Sequence, residues 1–261
     1  MALELATLVH DAEGAETAPP LLIAHGLFGS ARNFNSLGKR MASNRRVVAV
    51  DMRNHGRSPW SDEMDYPAMA GDLAAAIERH CGGRAAVLGH SMGGKAAMML
   101  ALTRPELVDR LVVADIAPVT YPHSHGGYVA AMQALDLSAI ARRADADPLL
   151  APAVPEPGLR GFLLQNLVVE EGRARWRINL AVLDARMDAL TGFPDTQASY
   201  AGPALFLYGT ASDYVTPGSH AAIRARFPRA ELQGMEGAAH WLHAERPEAF
   251  RAAVTGWLDT A

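Results

Sequence analysis

Short apolar runs alternate with longer helical patterns along the chain. The runs cover residues 21–24, 47–50, 85–88, 111–114 and 204–208. None of them alternates apolar with polar residues, so each is expected to be a strand that is buried on both faces. Helical patterns lie between runs at residues 66–80 and 95–103, and Pro105 follows the second pattern. This order predicts an α/β fold with a doubly wound, mostly parallel sheet.

The alternation stops between residues 118 and 200. No convincing strand pattern is found there, whereas residues 128–135, 158–169 and 181–190 have helical patterns. Prolines between positions 148 and 157 indicate a loop inside this region rather than a linker between independent domains. We therefore expect a helical cap at 118–200, inserted after the strand that ends near Asp115 into a core formed by residues 1–117 and 201–261.

Composition and charge narrow the class of protein. The chain has 261 residues, of which 49% are hydrophobic and 20% are charged, which suits one globular domain with an insertion. Its formal net charge is -4 and its lysines and arginines are scattered, so neither nucleic acid nor a membrane is an expected partner. The start of the chain lacks a signal-peptide pattern, and its single cysteine, Cys81, fits a reducing compartment, so a cytoplasmic location is expected. The sequence does not indicate an oligomeric state.

A candidate nucleophile follows the third apolar run. Residues 89–93 read Gly-His-Ser-Met-Gly, a G-x-S-x-G motif between the predicted strand at 85–88 and the helical pattern at 95–103. A serine on such a tight strand-to-helix turn projects its hydroxyl away from the backbone, and flanking glycines avoid collisions with neighbouring elements. The context predicts a nucleophile elbow with Ser91 as the nucleophile.

A serine hydroxyl needs a general base, which is expected near the C-terminal end of a chain with this elbow. His240 follows the strand-like residues 230–233 and the small residues 237–239, in a loop at the sheet edge where catalytic groups gather. His243 is the competitor, but it lies nearer to the start of the final helix and lacks the small neighbours. We therefore predict that His240 is the base.

Two aspartates compete for the acid that orients the base. Asp115 ends the apolar run at 111–114, and Asp213 follows the run at 204–208. Both strand ends can reach a histidine loop above Ser91. Either aspartate could instead cap a local turn or a short helix. The spacing alone leaves both aspartates as candidates.

Backbone amides are the expected donors to a developing oxyanion. One is the N–H of the residue after the nucleophile, Met92, and the other comes from a loop after an early strand. The loop at 25–29 reads His-Gly-Leu-Phe-Gly, and its two glycines allow the main chain to turn its amides inward. We predict Leu27 as the second donor and expect His25 to brace the loop.

Other motif interpretations fail on particular residues. Residues 89–95 also match the G-x-x-x-x-G-K pattern of a phosphate-binding loop, but Ala96 stands where a hydroxyl is needed for Mg²⁺. A dinucleotide fingerprint would need a glycine at Ser91. His123 and His125 have no further ligand at a suitable spacing, so no metal site is expected, and no cofactor is predicted.

The motifs together resemble those of the α/β-hydrolase family, and within it those of YbfF-like esterases. Besides the elbow, the resemblance covers nearly the whole chain and includes residues 25–30, 51–58, 66–70, 115–118 and 240–245. It implies an α/β-hydrolase fold and an esterase or thioesterase that acts on acyl esters.

The resemblance also bears on the choice of acid. Ser212 stands where most α/β-hydrolases have the acid that follows the late strand, and YbfF-like esterases are similar to this chain in having serine there. The resemblance therefore implies Asp115 as the acid and Ser212 as an auxiliary hydrogen-bonding group near His240. Asp213 is displaced by one residue and remains the alternative acid.

The expected reaction is hydrolysis of a carboxylic ester or an acyl thioester through an acyl-enzyme on Ser91. Candidates for the substrate pocket are Phe28, Tyr121, Tyr128, Phe162, Trp176 and Trp241. Arg32 and Arg177 are candidates to meet a carboxylate or a phosphate, although arginines more often lie solvated at the surface. A C–C hydrolase or a cofactor-free perhydrolase would use the same triad, and a non-catalytic ligand-binding module would keep only the scaffold.

Overall fold

The strands form a seven-stranded central sheet and a separate two-stranded hairpin. A computed structural model describes residues 1–122 and 125–260, so His123, Ser124, Ala261 and the metal prediction that involved His123 lie outside the described residues. The strands are β1 (Thr7–His10), β2 (Leu21–Ala24), β3 (Val47–Val50), β4 (Ala85–His90), β5 (Val108–Ala114), β6 (Leu167–Glu170), β7 (Arg173–Trp176), β8 (Ala204–Gly209) and β9 (Ala230–Met235). In the central sheet the order is β1-β3-β2-β4-β5-β8-β9, and β1 alone is antiparallel to its neighbour. The predicted mostly parallel α/β fold is confirmed.

Helices cover both faces of the central sheet. The α-helices of the described residues are α1 (Asn35–Met41), α2 (Tyr66–His80), α3 (Met92–Thr103), α4 (Gly126–Gln133), α5 (Arg143–Leu150), α6 (Pro157–Leu164), α7 (Leu180–Ala185), α8 (Met187–Thr191), α9 (His220–Arg226), α10 (Leu242–Glu245) and α11 (Pro247–Leu258). Within the residues that the structure describes, no helix is both long and apolar enough to cross a bilayer.

The two-sided covering explains why the strand runs are apolar throughout. In β2, Leu22 belongs to the core layer that α2 and α3 cover, whereas Leu21 and Ile23 belong to the layer that α1 and α11 cover. Each of the five predicted runs lies in a buried strand, because successive side chains enter alternate layers and both layers consist of apolar side chains. The parallel strands also place the ends of β2, β4, β5 and β8 at one edge of the sheet.

The region 118–200 differs from its predicted content. It contributes α4 to α8, but it also contains the β6–β7 hairpin, so the prediction that it lacks strands is wrong. The helical pattern at 158–169 was extended too far, because α6 ends at Leu164 and the β-branched residues Val168 and Val169 then pair with β7. Glu171 and Gly172 both have positive φ, as a tight two-residue hairpin turn requires. The division into core and cap stays a prediction.

A close contact between helix and strand fixes the start of α3. A Cβ added at Gly93 would lie 2.4 Å from the carbonyl oxygen of Ala24 and 2.5 Å from that of His25. These are backbone atoms, which cannot rotate away as the end of a side chain could. The contact therefore presses the first turn of α3 against the end of β2.

We expect Gly93→Ala to lower the free energy of unfolding by about 3 kcal/mol or more, because the methyl group forces the backbones apart. Gly256→Ala is the matched control, since Gly256 is exposed in α11 and a Cβ there meets nothing within 4 Å. The control should be more stable than the parent by about 0.5–1 kcal/mol, the helix preference of Ala over Gly. Urea unfolding curves measure both variants. Equal stability of Gly93→Ala and the parent would refute this account of the contact.

Candidate active site

Ser91 lies on a strained turn between β4 and α3. Its φ of 51° and ψ of -118° are rare for a residue with a side chain. A Cβ at Gly89 would come within 2.3 Å of the Gly93 carbonyl oxygen, so glycine is needed where the strand meets the helix. The strain, of order 1–3 kcal/mol, is of the kind that clusters at functional sites. The turn presents the Ser91 hydroxyl at the carboxyl edge of the sheet.

The predicted base and one of the two predicted acids lie in a line with this hydroxyl. The Nε2 atom of His240 lies 3.1 Å from the Oγ of Ser91, and its Nδ1 lies 2.8 Å from the Oδ2 of Asp115. Ser91 follows β4, Asp115 follows β5 and His240 lies in the loop between β9 and α10. A hydrogen-bonded chain of hydroxyl, imidazole and carboxylate can transfer the serine proton to the imidazole.

The Asp115 carboxylate is fully buried and accepts hydrogen bonds from three groups. The Gly209 N–H donates to Oδ1 at 3.0 Å, and the Ser212 hydroxyl donates to Oδ2 at 2.5 Å, beside the bond from His240. A buried carboxylate needs such partners to offset the loss of hydration. Asp213 is exposed, and no described hydrogen bond joins it to His240.

Two further contacts hold His240, and the sequence analysis missed both. The ring of Tyr214 stacks on the imidazole with centroids 3.9 Å apart and an angle of 18° between the planes. On the other side, the Nε2–H of His90 donates to the His240 carbonyl oxygen at 2.9 Å. His90 is the variable residue of G-x-S-x-G, and Tyr214 lies two residues beyond Ser212. Their nearness in the sequence to predicted site residues was the one signal that could have identified them.

The loop at 25–29 lines the same cavity as Ser91. A loop that donates backbone N–H groups to an oxyanion has to lie near the nucleophile in this way. His25 donates from Nδ1 to the Gly26 carbonyl at 2.8 Å and accepts the Met52 N–H at Nε2 at 2.9 Å. His55 accepts the Phe28 N–H at 3.3 Å, and Phe28 has a φ of 64°. Leu27 lies between these anchored residues. Met92 is the first residue of α3, so its N–H has no acceptor within the helix.

The histidines around this centre are buried in their neutral form. Burial lowers the pKa of His25 to about 4, and burial together with the neighbouring His25 lowers the pKa of His55 to about 3. Burial and the nearby His240 lower the pKa of His243 to about 4. Burial and its histidine neighbours also hold the pKa of His90 well below its usual value. His243, the predicted competitor, stacks on Phe34 at 4.6 Å.

Two cavities meet at Ser91. The larger one, of about 210 Å³, includes Ser91, His240 and four of the predicted pocket residues, Phe28, Tyr128, Phe162 and Trp241. The smaller one, of about 30 Å³, is lined by Ser91, Leu27, Met92 and Tyr121. Trp176 lines neither of these two cavities: it lies on β7 and packs against the apolar core, and its place in a substrate pocket stays a prediction.

Lys95 lines the smaller cavity and was also missed as a neighbour of the site. Its ammonium donates to the carbonyl oxygens of Thr191 at 2.8 Å and Gly192 at 2.6 Å, and it lies 4.7 Å from the ring centre of Tyr121. Burial lowers the pKa of Lys95 to about 7. The side chain thereby connects α3 in the core to the end of α8.

Comparison with known proteins finds relatives along nearly the whole chain. A family model described as alpha/beta hydrolase fold matches residues 19–247. The chain is similar to "sn-1-specific diacylglycerol lipase ABHD11" of Mus musculus, with 46% identity over 254 residues that cover 94% of this chain and 83% of the relative. It is also similar to "Esterase YbfF" of Escherichia coli (strain K12), with 36% identity over 249 residues that cover 95% of this chain and 96% of the relative. A solved structure titled "Marine microorganism esterase" has a TM-score of 0.92 at 36% identity, covering 98% of this chain and 99% of that one.

The buried neutral histidines predict a steep loss of stability in acid. A histidine whose pKa is lowered in the folded state takes up its proton only on unfolding, so its contribution to stability is complete above about pH 6.5 and is lost as the pH falls toward about 4. Each such histidine adds up to about 1.4 kcal/mol per pH unit to the slope of unfolding free energy against pH. Urea unfolding measured at several pH values between about 7 and about 4 gives this slope.

His243→Phe should reduce this slope by up to about 1.4 kcal/mol per pH unit, the contribution of one proton. Phe fills the same stacking position on Phe34 but does not bind a proton. A slope that His243→Phe does not alter would contradict the assignment of a buried neutral His243.

Proposed function

Since this chain belongs to the α/β-hydrolase family and is a hydrolase with esterases and a lipase among its relatives, we propose that it cleaves acyl esters or thioesters through a catalytic triad of Ser91, His240 and Asp115. The observation that carries this proposal is the hydrogen-bonded chain from the Ser91 hydroxyl through the His240 imidazole to the buried Asp115 carboxylate, with distances of 3.1 Å and 2.8 Å.

In the proposed mechanism, Ser91 Oγ attacks the substrate carbonyl while His240 Nε2 accepts the hydroxyl proton. The imidazolium that forms is stabilised by Asp115, whose carboxylate fixes the tautomer with the proton on Nδ1. His240 then gives its proton to the departing alcohol or thiol, and the acyl group stays on Ser91. A water molecule, deprotonated by His240, releases the acid in a second round of the same steps.

The backbone N–H groups of Leu27 and Met92 are the proposed donors to the oxyanion. Such preorganised donors lower the barrier because they already face the position where negative charge develops. The anchoring of the 25–29 loop by His25 and His55, both neutral, keeps the Leu27 amide in place without adding a second base.

The larger cavity supports an ester with an apolar group. Its lining is mostly aromatic and aliphatic, and it opens beside the Ser91 hydroxyl. The name of the mouse relative specifies the sn-1 position of diacylglycerol, and the apolar lining suits one acyl chain of such a lipid as well as that of a simpler ester. The substrate class proposed for this chain is therefore an apolar acyl ester or thioester.

Replacing Ser91 by Ala should lower kcat for a p-nitrophenyl acyl ester by about 10³-fold or more, because the nucleophile is lost. The change removes one oxygen from a side chain that is mostly buried, so the fold should persist, which circular dichroism and thermal unfolding check. A fluorophosphonate probe should label the parent at Ser91 and should not label the variant. Hydrolysis that persists in a folded Ser91→Ala variant would overturn the proposal.

The two candidate acids are separated by Asp115→Asn and Asp213→Asn, measured at one pH. We expect Asp115→Asn to lower kcat by about 10³–10⁴-fold, because the amide no longer stabilises the imidazolium or fixes its tautomer. Asp213→Asn, at an exposed position, should retain activity within about twofold, as surface substitutions usually do. If Asp213→Asn alone is inactive, the acid is assigned wrongly.

A further inference from the structure

Arginines that are far apart in the sequence come together in a groove outside the two cavities at Ser91. Arg57, Arg175 and Arg177 line an open groove of about 420 Å³, together with Glu170 and Trp60. We call these five residues the arginine groove. Three of the basic residues that are scattered along the sequence thus lie together once the chain folds.

The positive charge of the arginine groove is poorly neutralised by the protein itself. Glu170 pairs with Arg175 at 2.9 Å, but among the described residues no carboxylate forms an ion pair with Arg32, Arg57 or Arg177. Burial and then the charges of Arg32, Arg57 and Arg175 lower the pKa of Arg177. Other arginines do have a close carboxylate, such as Arg53 with Asp72 at 2.7 Å. Three like charges held together with one acid can be balanced by a bound anion.

Backbone hydrogen bonds fix the main chain at the arginines of the groove. The Arg57 N–H donates to the buried Asp51 carboxylate at 2.8 Å. The Arg177 N–H donates to the Asn166 carbonyl at 2.8 Å, and Arg175 lies on β7 within the hairpin. The main chain is thus fixed at Arg57 and Arg177, and no described carboxylate pairs with their guanidinium groups, so these groups can donate to a bound anion.

Trp60 adds a second kind of contact to the groove. Its side chain is 56% exposed, one of the large apolar side chains left open to solvent. Guanidinium groups match phosphate geometry with paired N–H donors, and an indole face stacks on a heteroaromatic ring. A volume of about 420 Å³ is within the range of sites for small ligands. Phosphates and an aromatic ring occur together in a nucleotide.

We propose that the arginine groove is a binding site for a nucleotide phosphate, with the phosphates on Arg57 and Arg177 and the base against Trp60. The site is separate from the catalytic cavity. Asn166 stands between them, because it accepts the Arg177 N–H and donates from Nδ2 to the Phe28 carbonyl at 2.8 Å, and Phe28 lines the catalytic cavity. The proposal therefore does not depend on the proposed esterase reaction.

Isothermal titration of the full chain with ADP tests the proposal, with pyrophosphate and adenosine as separate titrants. ADP should bind more tightly than either part alone, and its affinity should fall as salt is raised, since charge attraction dominates. The double variant Arg57→Gln/Arg177→Gln should weaken ADP binding by at least about tenfold. Trp60→Leu should weaken ADP binding and leave pyrophosphate binding unchanged.

Matched controls separate this site from general charge effects. Arg224→Gln removes an exposed arginine on α9, outside the groove, and should leave the affinity for ADP unchanged. Glu170→Gln removes the acid of the groove and should tighten ADP binding. Retained ester hydrolysis and thermal unfolding verify that each variant is folded, and Arg175→Gln/Arg177→Gln replaces the first double variant should that one misfold.

Three results would overturn the proposal. The first is no ADP binding by the parent chain, and the second is ADP binding that the arginine substitutions leave unchanged. The third is equal affinity for ADP and pyrophosphate, unaffected by Trp60→Leu, which would leave a phosphate site without a nucleotide contact.

Discussion

The buried carboxylate of Asp115 is the interaction on which the arrangement of the site depends. A charge with no exposure to water is tolerated only when donors surround it, and here the donors come from the end of β8, from the segment that follows it and from the His240 loop. Asp115, residues 209–212 and the His240 loop are distant from one another in the chain, so the hydrogen bonds to this one carboxylate also fix their relative positions. The imidazole is oriented by the same bond that helps to stabilise the carboxylate.

The parallel sheet makes this meeting of segments a consequence of topology. Strands β4 and β5 are neighbours, so Ser91 and Asp115 follow adjacent strand ends, and β8 lies next to β5. Both residues have a positive φ, 51° for Ser91 and 52° for Asp115, so the chain turns sharply at both points. The surrounding strands hold these two strained turns in place, because their side chains are buried in apolar layers on both faces of the sheet.

The sequence predicted the elements that local chemistry controls. The buried strands were found because neither face is polar, and the elbow was found because glycines must flank a turn this tight. The β6–β7 hairpin was missed because a short apolar run is compatible with a helix until its partner strand is known. Tyr214, His90 and Lys95 act through contacts between remote segments, and no spacing rule reports such contacts. The sequence also could not decide whether Trp176 faces a core or a pocket, since an aromatic residue in a helical or strand pattern can do either.

The larger cavity draws its walls from two sources. His25, His90 and Ser91 come from the sheet edge, whereas Tyr128, Leu159 and Phe162 come from the region 118–200. The second group has no described hydrogen bond to the Ser91, His240 and Asp115 side chains. These aromatic and aliphatic lining residues can therefore change in evolution, and with them the range of molecules that the cavity accepts. Such changes leave the proposed triad of Ser91, His240 and Asp115 unaltered.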